Sequence, residues 1–289
     1  MKKLSSIARA VTAVGIMALH MAPPANAAGA NAEPAATPTV VLVHGVFAEE
    51  ASWNAVARNL RARSYPVIAA ANPLRGVKSD AAYVSAIVAS VKGPVVLVGH
   101  SYGGSVISAA AAGMPNVKAL VFVAAFAPEL GESAVELSGK FPGSTLGPTL
   151  APPVNLPDGG KDLYIQQDKF AGQFAADVPS ATAHLMAVAQ RPVTESALGE
   201  GAPAAAWKNV PSWFIYGDRD KNIPPAALAF MADRAKSMRT VVVEGGSHVV
   251  MVSKPSAVSR LIIVAAGGAR AKAGHDAAEG GRRCLPGHR

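Results

Sequence analysis

Cysteine is almost absent: Cys284 is the only one in 289 residues, and it lies close to the C-terminal end of the sequence. No disulfide can therefore form within one molecule, and cysteine-rich zinc sites are excluded. Aromatic residues make up 6% of the chain and charged residues 16%. Because half of the residues are hydrophobic, that scarcity of charge argues against a disordered chain and for a globule held together by its core. No cluster of metal-ligand spacing is present, nor a phosphate loop or dinucleotide fingerprint, so neither a metal nor a cofactor is implied. Long hydrophobic runs are missing too. The run from about Ala10 to Leu19 is well short of the roughly 20 residues that cross a bilayer.

That run follows Lys2, Lys3 and Arg9 and precedes Ala25-Asn26-Ala27, whose small residues fit a signal peptidase. Residues 1–27 read as a secretory signal cleaved after about Ala27, which predicts an exported protein, periplasmic or secreted, without a membrane span after cleavage. The net charge of +8 would suit a nucleic-acid binder, but it sits at the two ends. The signal carries +3 and the stretch from Gly267 another +3, which leaves residues 28–266 with only +2 and no basic face. No nucleic-acid partner is expected.

Between the ends, short apolar β-branched runs alternate with helical patterns. Residues 28–38 read as a linker. Strands are predicted at Thr39–Val43, Tyr65–Ala70, Pro94–Val98, Val117–Ala124, Ser212–Tyr216 and Thr240–Glu244. Helices are predicted at Trp53–Ala62, Asp80–Val91 (with Asp80 near its N-cap), Tyr102–Ala112, Pro225–Lys236 and Pro255 to about Ala265. Strands buried on both faces and separated by helices make an α/β fold, one mostly parallel sheet of about six strands with helices on both faces. One domain, residues 39–266, accounts for this pattern. Residues 128–211 interrupt it, rich in Pro and Gly at first and then helical at Leu163–Phe174 and Ser180–Gln190, and read as a small lid insertion over the C-terminal edge of the sheet. Residues 267–289, a basic tail without apolar periodicity, are expected to be disordered.

Gly99-His100-Ser101-Tyr102-Gly103 is a G-x-S-x-G pattern set between a strand and a helix. The turn is so tight that side chains flanking the serine would collide, which glycine avoids, and the serine hydroxyl is lifted above the sheet edge. A serine needs a base. Of seven histidines, His20 lies in the signal and His275 and His288 in the tail. His44 suits loop ordering, His100 packing, and His184 the lid surface or a substrate contact. His248, on the loop after the last strand, is the best base. Its carboxylate partner comes from Gly217-Asp218-Arg219-Asp220: Asp220 reaches further into the loop, whereas Asp218 suits a pairing with Arg219 or a turn cap. The order Ser101, Asp220, His248 fits this architecture. The backbone N–H groups of Val46 and Tyr102 are the candidate donors to an oxyanion. Phe47, Phe126, Phe141, Phe170 and Phe174 are candidate substrate contacts, with Leu137 and Met186 as further lid apolar residues.

At these residues the sequence resembles the α/β-hydrolase superfamily, and within it small esterases with a His-Gly-x oxyanion loop and this serine elbow. The resemblance runs from about Thr39 to Ile263. Val123-Ala124-Ala125-Phe126-Ala127-Pro128 with Gly131-Glu132-Ser133, Phe174-Ala175-Ala176-Asp177-Val178-Pro179 and Ser247-His248-Val249-Val250-Met251-Val252-Ser253 are similar to blocks of an often exported bacterial subgroup. The resemblance implies the α/β-hydrolase fold, the triad roles above with Asp220 as the acid, and a carboxylesterase acting on small or medium esters. The sheet departs from the family in lacking its first two strands. Lactone hydrolysis or hydroxynitrile-lyase-like chemistry on the same triad is the alternative, as is a non-catalytic binding protein; a lyase would need a cation near the serine, for which Lys169 is a candidate. Dehalogenase chemistry is disfavoured by a serine where an aspartate would be needed.

Overall fold

The strand predicted at Thr39–Val43 forms as read, and it lies inside the sheet rather than at an edge, because both of its neighbours are supplied later in the chain. The computed structural model describes residues 36–280; the predicted signal, most of the linker and Cys284 lie outside the described residues. In chain order the elements are β1 (Thr39–Val43), α1 (Asn54–Arg61), β2 (Val67–Ala70), α2 (Val77–Ser90), β3 (Val95–His100), α3 (Gly103–Ala110) and β4 (Val117–Val123). The excursion after β4 holds α4 (Ala134–Gly139), β5 (Val154–Asn155), β6 (Lys161–Leu163), α5 (Gln167–Phe174), α6 (Ser180–Ala189), β7 (Val193–Thr194) and α7 (Glu195–Gly199). The chain then returns as β8 (Ser212–Gly217), α8 (Pro225–Arg234), β9 (Arg239–Val243), α9 (Val250–Ser253) and α10 (Pro255–Gly280).

Six strands form one sheet in the order β2-β1-β3-β4-β8-β9, with every pairing parallel. β3 is buried at every residue and β4 at all but Lys118, as continuous Val and Leu runs require when a parallel sheet is covered on both sides. α3 and α10 both pack on β3 and β4 without packing on each other, so they cover opposite faces. α2 joins α3, and α1 joins α10 through its buried Val56 and Leu60. This is an α/β-hydrolase fold. The order of the strands also matters chemically: parallel strands deliver all their C-terminal loops to one edge, where β1, β3, β8 and β9 end.

Three boundaries differ from the sequence reading by three residues or more. α2 begins at Val77, not Asp80, because Val77 is buried and the Asp80 carboxylate turns back to accept N–H bonds from Arg75 and Gly76 at 3.2 and 3.5 Å. The first lid helix begins at Gln167, since Lys161–Leu163 is instead the middle strand of a three-stranded antiparallel sheet, β5-β6-β7. Strands of two or three residues carry too little periodicity to read. The last helix continues to Gly280, so residues 267–280 are helical rather than disordered; their alanines sustain a helix that the apolar pattern alone would have ended.

Candidate active site

Ser101 stands between the end of β3 and the start of α3 with φ at 54°, a left-handed conformation that is uncommon for any residue but glycine. Three backbone bonds hold it there. Its N–H donates to Val123, and its carbonyl accepts from Gly104 and Phe126 at 2.9 and 3.1 Å. A side chain at 104 would overlap the Phe126 carbonyl, which is why α3 can approach so closely only with glycine. Phe47 and Ala124, beside the site, also have positive φ. Such strain clusters where the surrounding structure holds a functional geometry.

The base and acid loops meet this elbow from β9 and β8. His248 Nδ1 donates to Asp220 Oδ2 at 2.7 Å, with both side chains buried. The other Asp220 oxygen accepts the N–H groups of Asn222 and Ile223 at 2.8 and 3.0 Å. The carboxylate is therefore fixed by three donors, and it commits Nδ1 to the donor role. In the neutral ring Nε2 is then the acceptor, the arrangement a general base would require. No hydrogen bond joins Ser101 and His248 in this geometry, although both line one cavity; such contacts are often long in a resting site and tighten in the reacting complex. Asp218 has a different task. It accepts the Gly245 N–H at 2.7 Å, fixing the turn that leads to His248, and lies 4.0 Å from Arg219.

The N–H groups of Val46 and Tyr102 enter no backbone hydrogen bond, whereas that of Phe47 is taken by the Arg191 carbonyl at 3.0 Å. Gly45 allows this approach, because a Cβ there would lie 2.5 Å from that of Ser101. The buried His44 orders the loop: Nδ1 donates to the Gly45 carbonyl at 2.9 Å and Nε2 accepts from Asn72 N–H at 3.0 Å. Burial lowers its pKa. His100 packs behind the base, donating through Nε2 to the His248 carbonyl at 3.2 Å with ring centroids 4.7 Å apart. Burial, and next the nearby His248, push its pKa well below the ordinary value, so it stays neutral. The Tyr102 hydroxyl donates to buried Asp80 at 2.9 Å, and burial raises both groups.

The cavity has a volume of about 310 Å3 and a mostly apolar wall. Val46, Phe47, Phe126, Phe174 and Ile223 line it together with Ser101 and His248, and α4 and residues 144–150 supply further wall. Among the described residues its wall has no lysine, arginine, aspartate or glutamate. Lys169, the candidate cation for cyanohydrin cleavage, donates to the Pro148 carbonyl at 3.5 Å and does not line the cavity.

The sequence matches the alpha/beta hydrolase family over residues 40–261. The chain belongs to that family. Alpha/beta hydrolase nvfD of Aspergillus novofumigatus is 28% identical over 183 residues, 60% of this chain and 70% of that protein. Among solved alpha/beta hydrolases, polyneuridine aldehyde esterase superposes with a TM-score of 0.69 at 18% identity, covering 79% of this chain and 98% of that one. A pyrethroid hydrolase from Sphingobium faniae gives 0.63 at 20%, covering 80% and 97%. A methylesterase from Arabidopsis gives 0.65 at 16%, covering 80% and 99%. At these identities the likeness establishes the shared fold.

Of the aromatic residues named from sequence, Phe47, Phe126 and Phe174 line the hydrolase's cavity, and Phe141 and Phe170 do not. Phe141 turns outward to pack on Phe230, at 5.4 Å, and Phe170 is buried behind Phe174, at 4.9 Å. Leu137 belongs to the core, Met186 lies on a surface groove, and His184 is exposed. Sequence reasoning missed Leu146, Leu150, Leu198 and Ile223 as walls. Leu146, Leu150 and Ile223 are single apolar residues in irregular stretches, and Leu198 sits in the five-residue helix α7, so no pattern marks them.

Proposed function

We propose that the protein is a serine carboxylesterase for small or medium esters. The observation that carries this reading is the His248–Asp220 pair opening on the same apolar cavity as a strained, upward-turned Ser101. Ser101 Oγ attacks the ester carbonyl while His248 Nε2 takes its proton, and the Asp220 carboxylate stabilises the resulting imidazolium. The N–H groups of Val46 and Tyr102 hold the oxyanion. His248 then protonates the departing alcohol, and a water activated in the same way releases the acid from the acyl-enzyme. No metal or cofactor takes part in these steps. A cavity near the low end of the size range of ligand pockets supports a small substrate, and its apolar wall supports an uncharged one. Esterases among the structural neighbours add to this reading. Resemblance to an often exported bacterial subgroup supports export, in keeping with the basic and apolar N-terminal segment.

The test uses a fluorescent organophosphonate and p-nitrophenyl esters of increasing chain length, with lactones alongside. Wild type should be labelled once per chain and should hydrolyse the shorter esters, and Ser101→Ala should lose labelling and more than about 1,000-fold in kcat. A chain that binds esters tightly but is neither labelled nor active is a binding protein. Preference for lactones would shift the substrate and keep the triad.

A further inference from the structure

The insertion touches both loops that deliver the triad. On the acid side, Gln173 of α5 donates through Nε2 to the Lys221 carbonyl at 3.0 Å and to Asn222 Oδ1 at 2.9 Å. Its Oε1 accepts from Thr145 at 2.9 Å, so the amide is held from both sides. Lys221 returns the contact, with Nζ donating to the Gly172 carbonyl at 2.9 Å. Asn222 is also the residue whose N–H binds Asp220. On the base side, three residues past the end of α5, the Asp177 carboxylate accepts the hydroxyl proton of Ser247, the immediate neighbour of His248. Between the two clasps, the Phe174 ring stands edge-on to the His248 ring at 5.1 Å. The last turn of α5 thus holds the acid loop, and the turn that follows it holds the base loop.

We propose that α5 and the turn after it brace the triad, with Asp177 and Gln173 as positioning residues, and that this part of the insertion stays docked through turnover. Substrate enters elsewhere. The exposed part of the cavity wall is Val135, 57% exposed, together with Ser144 and Gly147. Those residues belong to α4 and the loop before Leu150, not to α5. Asp177 is not among the residues that line the cavity, so its influence runs through Ser247 to the aim of the His248 ring. Displacement of a catalytic group by about 1 Å lowers turnover about 100-fold.

This inference rests on the esterase reading, and the experiment separates the two. Asp177→Ala and Ser247→Ala should each lower kcat on p-nitrophenyl butyrate by about 10- to 100-fold with KM within about twofold of wild type. The double variant should be no worse than either single one, because both remove the same clasp. Asp177→Asn, whose amide oxygen still accepts the Ser247 proton, should recover most of the activity. Amide hydrogen exchange at residues 245–249 reads the same loop without substrate, and should quicken in Asp177→Ala but not in Asp177→Asn. Additive losses, a rise in KM alone, or unchanged exchange would overturn the brace. If wild type is active and Asp177→Ala equals it, the brace alone falls; an inactive, unlabelled wild type removes the esterase reading, and hydrogen exchange still decides the brace.

Discussion

Asp220→Asn isolates one atom of the proposed mechanism. Asparagine has the same shape, and its amide oxygen can keep both N–H bonds from Asn222 and Ile223 that Asp220 now accepts. Its NH2 group then faces His248 Nδ1 at the position of an oxygen 2.7 Å away. Two donors cannot share that contact, so Nδ1 must become the acceptor and the proton must move to Nε2. The ring is then protonated on the side meant to take the Ser101 proton. A reversal of this kind lowers kcat by about 10,000-fold, or about 5.4 kcal/mol at 1.36 kcal/mol per tenfold. Asp218→Asn is the matched control: its carboxylate touches Gly245 and Arg219 rather than the imidazole, so activity should stay within about tenfold of wild type. Initial rates on p-nitrophenyl butyrate, with calorimetric melting to show both variants folded, measure the difference. Asp220→Asn retaining more than a tenth of wild-type kcat, or a greater loss in Asp218→Asn, would refute the assignment of the acid.

Two further outcomes concern stability. Gly104→Ala places a methyl group against the Phe126 carbonyl, so α3 and the elbow must shift; unfolding in urea should show a loss of about 1–3 kcal/mol with a fall in kcat, and a change in neither would contradict the close packing. Burial holds both His100 and His44 below the ordinary value of 6.5, so below that pH the unfolded chain takes up protons that the folded one refuses. The stability tied to their neutral forms is present above about pH 6.5 and is lost as the pH falls, at up to about 1.4 kcal/mol per pH unit for each ring. Melting temperature should therefore drop between pH 7 and pH 5, and His100→Gln should flatten that slope; parallel slopes would show that His100 is protonated in the folded state.

The sheet was legible because its strands are short, mostly apolar and β-branched or aromatic runs bounded by turn residues, a signal that does not depend on tertiary context. The elbow was legible for the same reason, since Gly99 and Gly103 around Ser101 answer a local steric demand. The choice of Asp220 over Asp218 needed more. Both aspartates follow the same strand, and only the positions of Gly245 and His248 in space show which carboxylate caps a turn and which meets the ring. The cavity walls were the least legible. Phe141 and Phe170 are as apolar as Phe174, and which face of a lid helix looks inward is decided by long-range packing that a short segment does not encode. Likewise, the pairing of Asp177 with Ser247 joins two segments 70 residues apart, and neither residue announces the other.

The uncharged wall has a bearing on how a turnover would end. Ester hydrolysis begins with a neutral molecule and finishes with an alcohol and an acid that ionises at once near neutral pH. A carboxylate left in the cavity finds apolar carbon on most sides and no lysine or arginine to pair with. An unpaired anion in such surroundings is strongly disfavoured relative to water. On the esterase reading, a lining suited to the uncharged substrate disfavours its ionised product, so accumulated acid should compete poorly with fresh ester.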